Sequence, residues 1–203
     1  MEIRELSIPG TFEITPRQFP DDRGVFLEYY RFDKLEEAVG HSLDLKQANT
    51  SVSKRGTVRG IHFADVPPSQ AKYVTCTRGA VIDYVVDIRV GSPTFGKWDS
   101  VRLDDVDRRA IYIPEGFGHA FVALEDNSTV SYLCSATYAP GREHGIKPTC
   151  STVGLDFGIP EDELLLSPKD TEAPGLNTAK EMGLLPDYEE CLAFYAQLNE
   201  GKN

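Results

Sequence analysis

The sequence predicts an all-β fold, a sandwich or barrel with a few short helices. Three observations carry this expectation. From about residue 43 to 138, short runs rich in β-branched and aromatic residues follow one another. Clusters of Gly and Pro, such as VGSPTFG and PEGFG, separate those runs. Helical periodicity is confined to two segments outside them.

The first helix is expected over DKLEEAVG (33–40), with Asp33 as cap, Glu36 three residues on and Gly40 as terminator. Gln47, Asn49 and Ser51 alternate, so a strand points all three to one face. That face is either a wet, ligand-holding interior or a solvated exterior. VIDYVVDIRV (81–90), RRAIYIP (108–114), HAFVALED (119–126) and TVSYLCSATYAP (129–140) read as further strands. In the last, Tyr132 and Tyr138 share a face if the strand is regular, about 20 Å apart at ~3.3 Å per residue. Only a long substrate could approach both. Residues 140–175, with many Pro and Gly and no clear period, are expected to be irregular and packed on the barrel. PDYEECLAFYAQLNE (186–200) predicts a helix with Tyr188, Cys191, Leu192, Tyr195 and Leu198 on one face.

The 203-residue length suits one domain, and the mix of apolar and charged residues is that of a soluble globular protein. No apolar run reaches the ~18 residues of a membrane span, and MEIRELSIPGTF lacks the basic start and apolar core of a signal peptide, so the cytoplasm is expected. Cys76, Cys134, Cys150 and Cys191 form no C-x-x-C pair, which points to free thiols rather than a disulfide framework or a zinc site. A net charge of −11 argues against nucleic-acid binding. An anionic ligand would need Arg and Lys gathered locally against that field.

The motif P-x-G-x-x-H in IPEGFGHAF (113–121), ending at His119, resembles the second signature of cupins, small jelly-roll barrels. The first cupin signature supplies two histidines one residue apart and a later glutamate. Here His62 stands alone and position 64 is Ala, a poor metal set. Without a metal, an imidazole near neutrality suits a general base. Lys72 can hold an oxyanion and Tyr132 can act as acid. Those are the parts needed to take a proton from a carbon beside a carbonyl and return one to the other face. A metal-dependent cupin, a non-catalytic sugar-nucleotide-binding barrel and a merely structural His62 are the competing readings.

RGIHF (59–63), AKYV (71–74), VDIRVGSPTFGKW (86–98), IPEGFGHAF, YLCSATYAPGREHGI (132–146) and LSPKD (166–170) occur in order. Together they resemble the dTDP-4-dehydrorhamnose 3,5-epimerase family, which includes epimerases of antibiotic deoxysugar pathways. The likeness runs from about residue 6 to 175. It implies a cupin-type jelly-roll β-barrel over about 43–140, an N-terminal arm over about 1–30, and an irregular segment and helix over about 141–203, all one domain. It further implies a homodimer with exchanged arms, no metal and no cofactor, no nucleic-acid or membrane partner, and a dTDP-4-keto-6-deoxy sugar as substrate. On this resemblance His62 is the base, Asp170 orients it, Lys72 stabilises an enolate and Tyr132 is the acid. Gln47, Asn49, Arg59, His119, Tyr138 and Arg142 would contact substrate, with Phe19, Arg23 and Glu28 contributed by the arm. Arg59 and His62 differ by an odd step, which Gly60 can accommodate by bending the strand. Residues 147–157 (KPTCSTVGLDF) lack the acidic-Pro element common in the family at this place, so the resemblance leaves the nucleotide-end contacts and the choice of carbon open. Both double and single epimerases fit; the double activity is the expectation.

Overall fold

The computed structural model describes residues 1–200. Its strands are β1 (Glu2–Glu5), β2 (Phe12–Thr15), β3 (Gln18–Asp21), β4 (Gly24–Leu27), β5 (Gln47–Ser53), β6 (Val58–Ala64) and β7 (Lys72–Arg78). They continue with β8 (Ala80–Val86), β9 (Trp98–Asp104), β10 (Ala110–Ile113), β11 (Gly118–Ala123), β12 (Ser128–Cys134) and β13 (Glu143–Gly145). One sheet is six-stranded in the order β1-β2-β10-β7-β12-β5, and a second is five-stranded in the order β13-β6-β11-β8-β9. Strands β3 and β4 form a hairpin of their own. The helices are α1 (Phe32–Val39), α2 (Pro168–Glu172), α3 (Leu176–Glu181) and α4 (Tyr188–Glu200).

The two sheets close on a shared core. Val74, Cys76 and Val130 of the larger sheet pack with Val81, Val85, Val101 and Phe121 of the smaller. Burial of such side chains contributes roughly 1.5–3 kcal/mol each, so this end of the sandwich is dry and fixed. The other end is polar. Strand β5 alternates as its sequence requires: Gln47, Asn49 and Ser51 are half-buried, whereas Ala48, Thr50 and Val52 are exposed. Cys134 lies opposite both Gln47 and Lys72, and Tyr132 lies opposite both Asn49 and Val74. The inner face of one sheet thus passes from apolar to polar along its strands.

Several boundaries differ from the sequence expectation. Helix α1 starts at Phe32, so Asp33 does not cap it; Asp33 lies in the first turn and pairs with Arg31 at 2.6 Å. Gly40 does end it, at φ +99°. Strand β12 stops at Cys134, so Tyr138 is not on the same strand as Tyr132. On α4, Leu192 is exposed rather than part of the buried face. That helix is anchored at its start, where Cys191 is fully buried and the Arg89 guanidinium lies over the rings of Phe117 and Tyr188. Strands β1 and β2 are the edge of the large sheet. The β3–β4 hairpin is largely exposed. The segment expected to be irregular contains β13, which pairs with β6, and α2. No helix of the described residues is long and apolar enough to cross a membrane.

Candidate active site

A cavity of about 550 Å³ opens at the polar end of the sandwich. Gln47, Asn49, Ser51, Lys72 and Tyr132 line it from the six-stranded sheet, and Arg59, His62, His119 and Glu143 line it from the five-stranded sheet. The two groups therefore form facing walls.

Arg59 and His62 reach the same cavity because β6 carries one extra residue. His62 lies opposite His119 and Arg59 opposite Phe121, so three steps on β6 match two on β11. Such a bulge reverses the in–out alternation and undoes the odd spacing. Gly60 occupies the bulge at φ +122°, and a Cβ there would sit 2.4 Å from the carbonyl oxygen of His119. No other residue fits that approach.

His62 Nε2–H donates to Asp170 Oδ1 at 2.7 Å, which leaves Nδ1 as the ring nitrogen available to substrate. Asp170 is held at both oxygens. Ser167 Oγ–H donates to Oδ2 at 2.8 Å, and the same Ser167 oxygen caps α2 by accepting the Asp170 N–H at 3.1 Å. Burial pushes the Asp170 carboxyl up, but the bonds from His62 and Ser167 outweigh it and the group lies below its usual range. It is a carboxylate at neutral pH, suited to orient an imidazole and balance its charge.

Lys72 is buried, and among the described residues its amine has no hydrogen-bond or ion-pair partner. Burial lowers its pKa, while Cys134, Glu143 and Asp83 pull it back. Tyr132 is shifted the other way. Burial raises the phenol, the nearby Cys134 adds to this, and Arg59 and Asn49 oppose it. The phenol therefore holds its proton until a stronger base asks for it. His119 Nε2–H donates to both oxygens of Asp83, at 2.9 and 3.0 Å. Asp83 is fully buried, and that burial raises its pKa against the pull of His119 and Lys72.

The family model for dTDP-4-dehydrorhamnose 3,5-epimerase matches residues 5–178. The chain belongs to that family. It is 60% identical to a dTDP-4-dehydrorhamnose 3,5-epimerase of Mycolicibacterium smegmatis, over 98% of this chain and 97% of that protein. It is 56% identical to a dTDP-4-dehydrorhamnose 3-epimerase of Streptomyces niveus, over 95% of this chain and 92% of that protein. The solved Mycobacterium tuberculosis rmlC epimerase superposes with a TM-score of 0.95 at 52% identity, covering 98% of this chain and all of that one. The cupin-type jelly roll expected from the sequence is the fold of this dTDP-4-dehydrorhamnose 3,5-epimerase family member.

Of the expected site residues, this family member brings His62, Lys72, Tyr132, Asp170, Gln47, Asn49, Arg59, His119 and Tyr138 to one cavity. Tyr138 arrives by a turn after β12, its N–H held by Gln47 Oε1 at 2.9 Å. Phe19, Arg23, Glu28 and Arg142 do not line it. Phe19 and Arg23 are on the exposed hairpin, where Arg23 pairs with Asp21 at 2.6 Å. Glu28 pairs with Arg31, and the Arg142 guanidinium donates to the carbonyl of Pro67. Residues 147–157 do not line the cavity either; Pro148–Ser151 and Gly154–Phe157 border a separate one of about 210 Å³.

Sequence reasoning missed Asp83, Glu143, Ser167 and Lys169. Asp83 carried a signal, since an acid in the middle of the apolar run VIDYVV must find a buried partner. Ser167 did too, as the Ser of a Ser-Pro helix start. Glu143 had none, because β13 is three residues long in a Gly/Pro-rich stretch. Among the described residues no three His, Cys, Asp or Glu side chains converge as a metal-holding group.

Proposed function

We propose that this protein inverts carbon 3 and carbon 5 of a dTDP-4-keto-6-deoxyhexose without metal or cofactor. The observation that carries the reading is the division of the cavity. A His–carboxylate base stands on one wall, and an unpartnered lysine and a protonated tyrosine stand on the other. The 4-keto group acidifies the hydrogens on its two neighbouring carbons. His62 Nδ1 takes one as a proton. The C–H electron pair becomes the enolate, and the negative charge on the former keto oxygen is met by Lys72. The Tyr132 phenol returns a proton to the opposite face, and the configuration is inverted. Tyr132 then recovers its proton, and His62 loses its own, by way of solvent. Arg59 and Lys169, both at the cavity, supply positive charge for the diphosphate in a protein of net charge −11.

Single epimerisation at carbon 3 is the second reading, because relatives of both kinds match at 60% and 56% identity. Turnover in heavy water separates them. Deuterium at both carbons of the product supports the double epimerase, and deuterium at carbon 3 alone supports the single one. No deuterium at either carbon would sink both.

The reading includes a dimer in which the hairpin of one copy completes the cavity of the other. Phe19 and Phe26 are 43% and 67% exposed, and neither they nor Arg23 reach the cavity of their own chain. Mixing inactive Arg23→Ala with inactive His62→Asn protein, under conditions of proven subunit exchange, should restore part of the activity. No recovery would argue against arms acting in trans. The four free cysteines, Cys76, Cys134, Cys150 and Cys191, suit a reducing cytoplasm as the place of work.

A further inference from the structure

Lys72 is the first residue of β7, so the chain just before it lies outside the strand. The chain just before it is tied by a short relay. Ser135 N–H donates to the carbonyl of Ala71 at 3.1 Å, and Ala71 N–H donates to Ser135 Oγ at 2.8 Å. Ser135 Oγ–H in turn donates to Glu115 Oε1 at 2.7 Å. In register, Lys72 lies opposite Cys134 on β12 and Ile113 on β10. Ser135 and Glu115 are therefore one and two residues past its two neighbours. The relay joins the ends of three adjacent strands at the residue whose amine has no hydrogen-bond or ion-pair partner among the described residues.

Glu115 is an expensive group to keep there. It is 3% exposed, and its Oε2 has no hydrogen-bond partner among the described residues. Burial raises its pKa and the Ser135 hydroxyl draws it back only in part. Strand pairing alone does not need it. The Ser135 oxygen uses a lone pair to hold Ala71 N–H, and that lone pair points correctly only while the hydroxyl hydrogen has a fixed acceptor. Glu115 is that acceptor, ionised or not. The turn that carries it is braced in two places: Gly116 N–H donates to Ser69 Oγ at 3.2 Å, and the Tyr195 hydroxyl of α4 donates to the Glu115 carbonyl.

We propose that Glu115 and Ser135 form a clasp that aims the Lys72 ammonium at the enolate oxygen, a role that rests on the epimerase reading above. They are positioning residues, and they act through Lys72. A charge displaced by an ångström loses most of its value to a transition state, so small backbone shifts at Ala71 are costly.

Steady-state turnover of a dTDP-4-keto-6-deoxy sugar tests this. Wild-type turnover reports on the reaction, and the variants report on the clasp; an inactive wild type defeats both. Ser135→Ala should lower kcat about 10- to 100-fold with KM little changed. Ser135→Thr, which keeps the hydroxyl, should recover most of it. Glu115→Gln keeps an acceptor and should stay near wild type, whereas Glu115→Leu should resemble Ser135→Ala. The deciding arm is the Lys72→Ala background, where adding Ser135→Ala should cost almost nothing further. If Ser135→Ala does not fold, Ser135→Cys takes its place, since a thiol is weaker in both roles. The proposal is overturned if the loss is as large without Lys72 as with it. It is equally overturned if Ser135→Ala and Glu115→Leu both keep kcat within about twofold of wild type, well short of that expected loss.

Discussion

The ring of His62 is 39% exposed where it meets Asp170, whereas the ring of His119 is 9% exposed where it meets Asp83. Both histidines line the same cavity from neighbouring strands, and each donates to a carboxyl, at 2.7 Å for His62 and 2.9 and 3.0 Å for His119. Their carboxyls are shifted in opposite directions. Asp170 is lowered, because the bonds from His62 and Ser167 outweigh its burial. Asp83 is raised, because full burial outweighs the same kind of help from His119 and Lys72. A working base needs an open nitrogen and a partner that stays ionised as the proton comes and goes. His62–Asp170 meets both conditions. In His119–Asp83 the ring is closed in and burial works against the charge on Asp83, so the pair reads as a fixed part of the wall.

The largest effect that separates the pairs is expected in proton exchange. His62→Asn should slow solvent exchange at the sugar by roughly 10²–10⁴, with nucleotide affinity kept. His119→Asn should retain exchange and act mainly on KM. Equal losses of kcat in the two variants would erase the distinction. Asp170→Asn should come next, about 10²-fold or somewhat more in kcat, since the imidazole loses its orientation and its counter-charge while the base itself remains. A kcat near that of wild type would show that the carboxylate serves only to build α2.

The smallest effect is on stability against acid. Asp170 has a folded pKa below its unfolded one. The pair therefore stabilises the fold above the ordinary carboxylate value of about 4, and that contribution is lost as pH falls through the depressed folded value. Thermal unfolding of wild type and Asp170→Asn should thus differ most near neutrality and converge in acid. A gap that widens as pH falls would reverse the assigned shift.

The same contrast explains what the sequence could reveal. Period-2 alternation made the polar face of β5 legible, because Gln47, Asn49 and Ser51 had to share a side. Resemblance, not pattern, then chose the interior over the exterior. The Arg59–His62 convergence was legible only as a question. A bulge at Gly60 depends on how close β11 passes, which is a tertiary fact. Tyr138 was misplaced for the converse reason: its run kept strand composition after the ladder had ended at Cys134. Asp83 could have been found from its apolar neighbours, but its partner His119 is 36 residues away on another strand. Residues 147–157, where the resemblance left nucleotide contacts and the choice of carbon open, lie outside the cavity, and Val153 and Phe157 fill the core beneath the smaller sheet. Difference in a loop was no guide to its distance from the chemistry.

The central claim is that base and acid stand on facing walls, and Tyr132→Phe in heavy water tests it most directly. His62 alone can remove a proton and return a deuteron to the same face. The variant should therefore wash deuterium into the 4-keto sugar at a rate near that of wild type, while inverted product falls by roughly 10² or more. Proton NMR reads both quantities from one sample. Exchange and inversion falling together, or inversion surviving intact, would contradict the assignment of Tyr132 as the acid opposite His62.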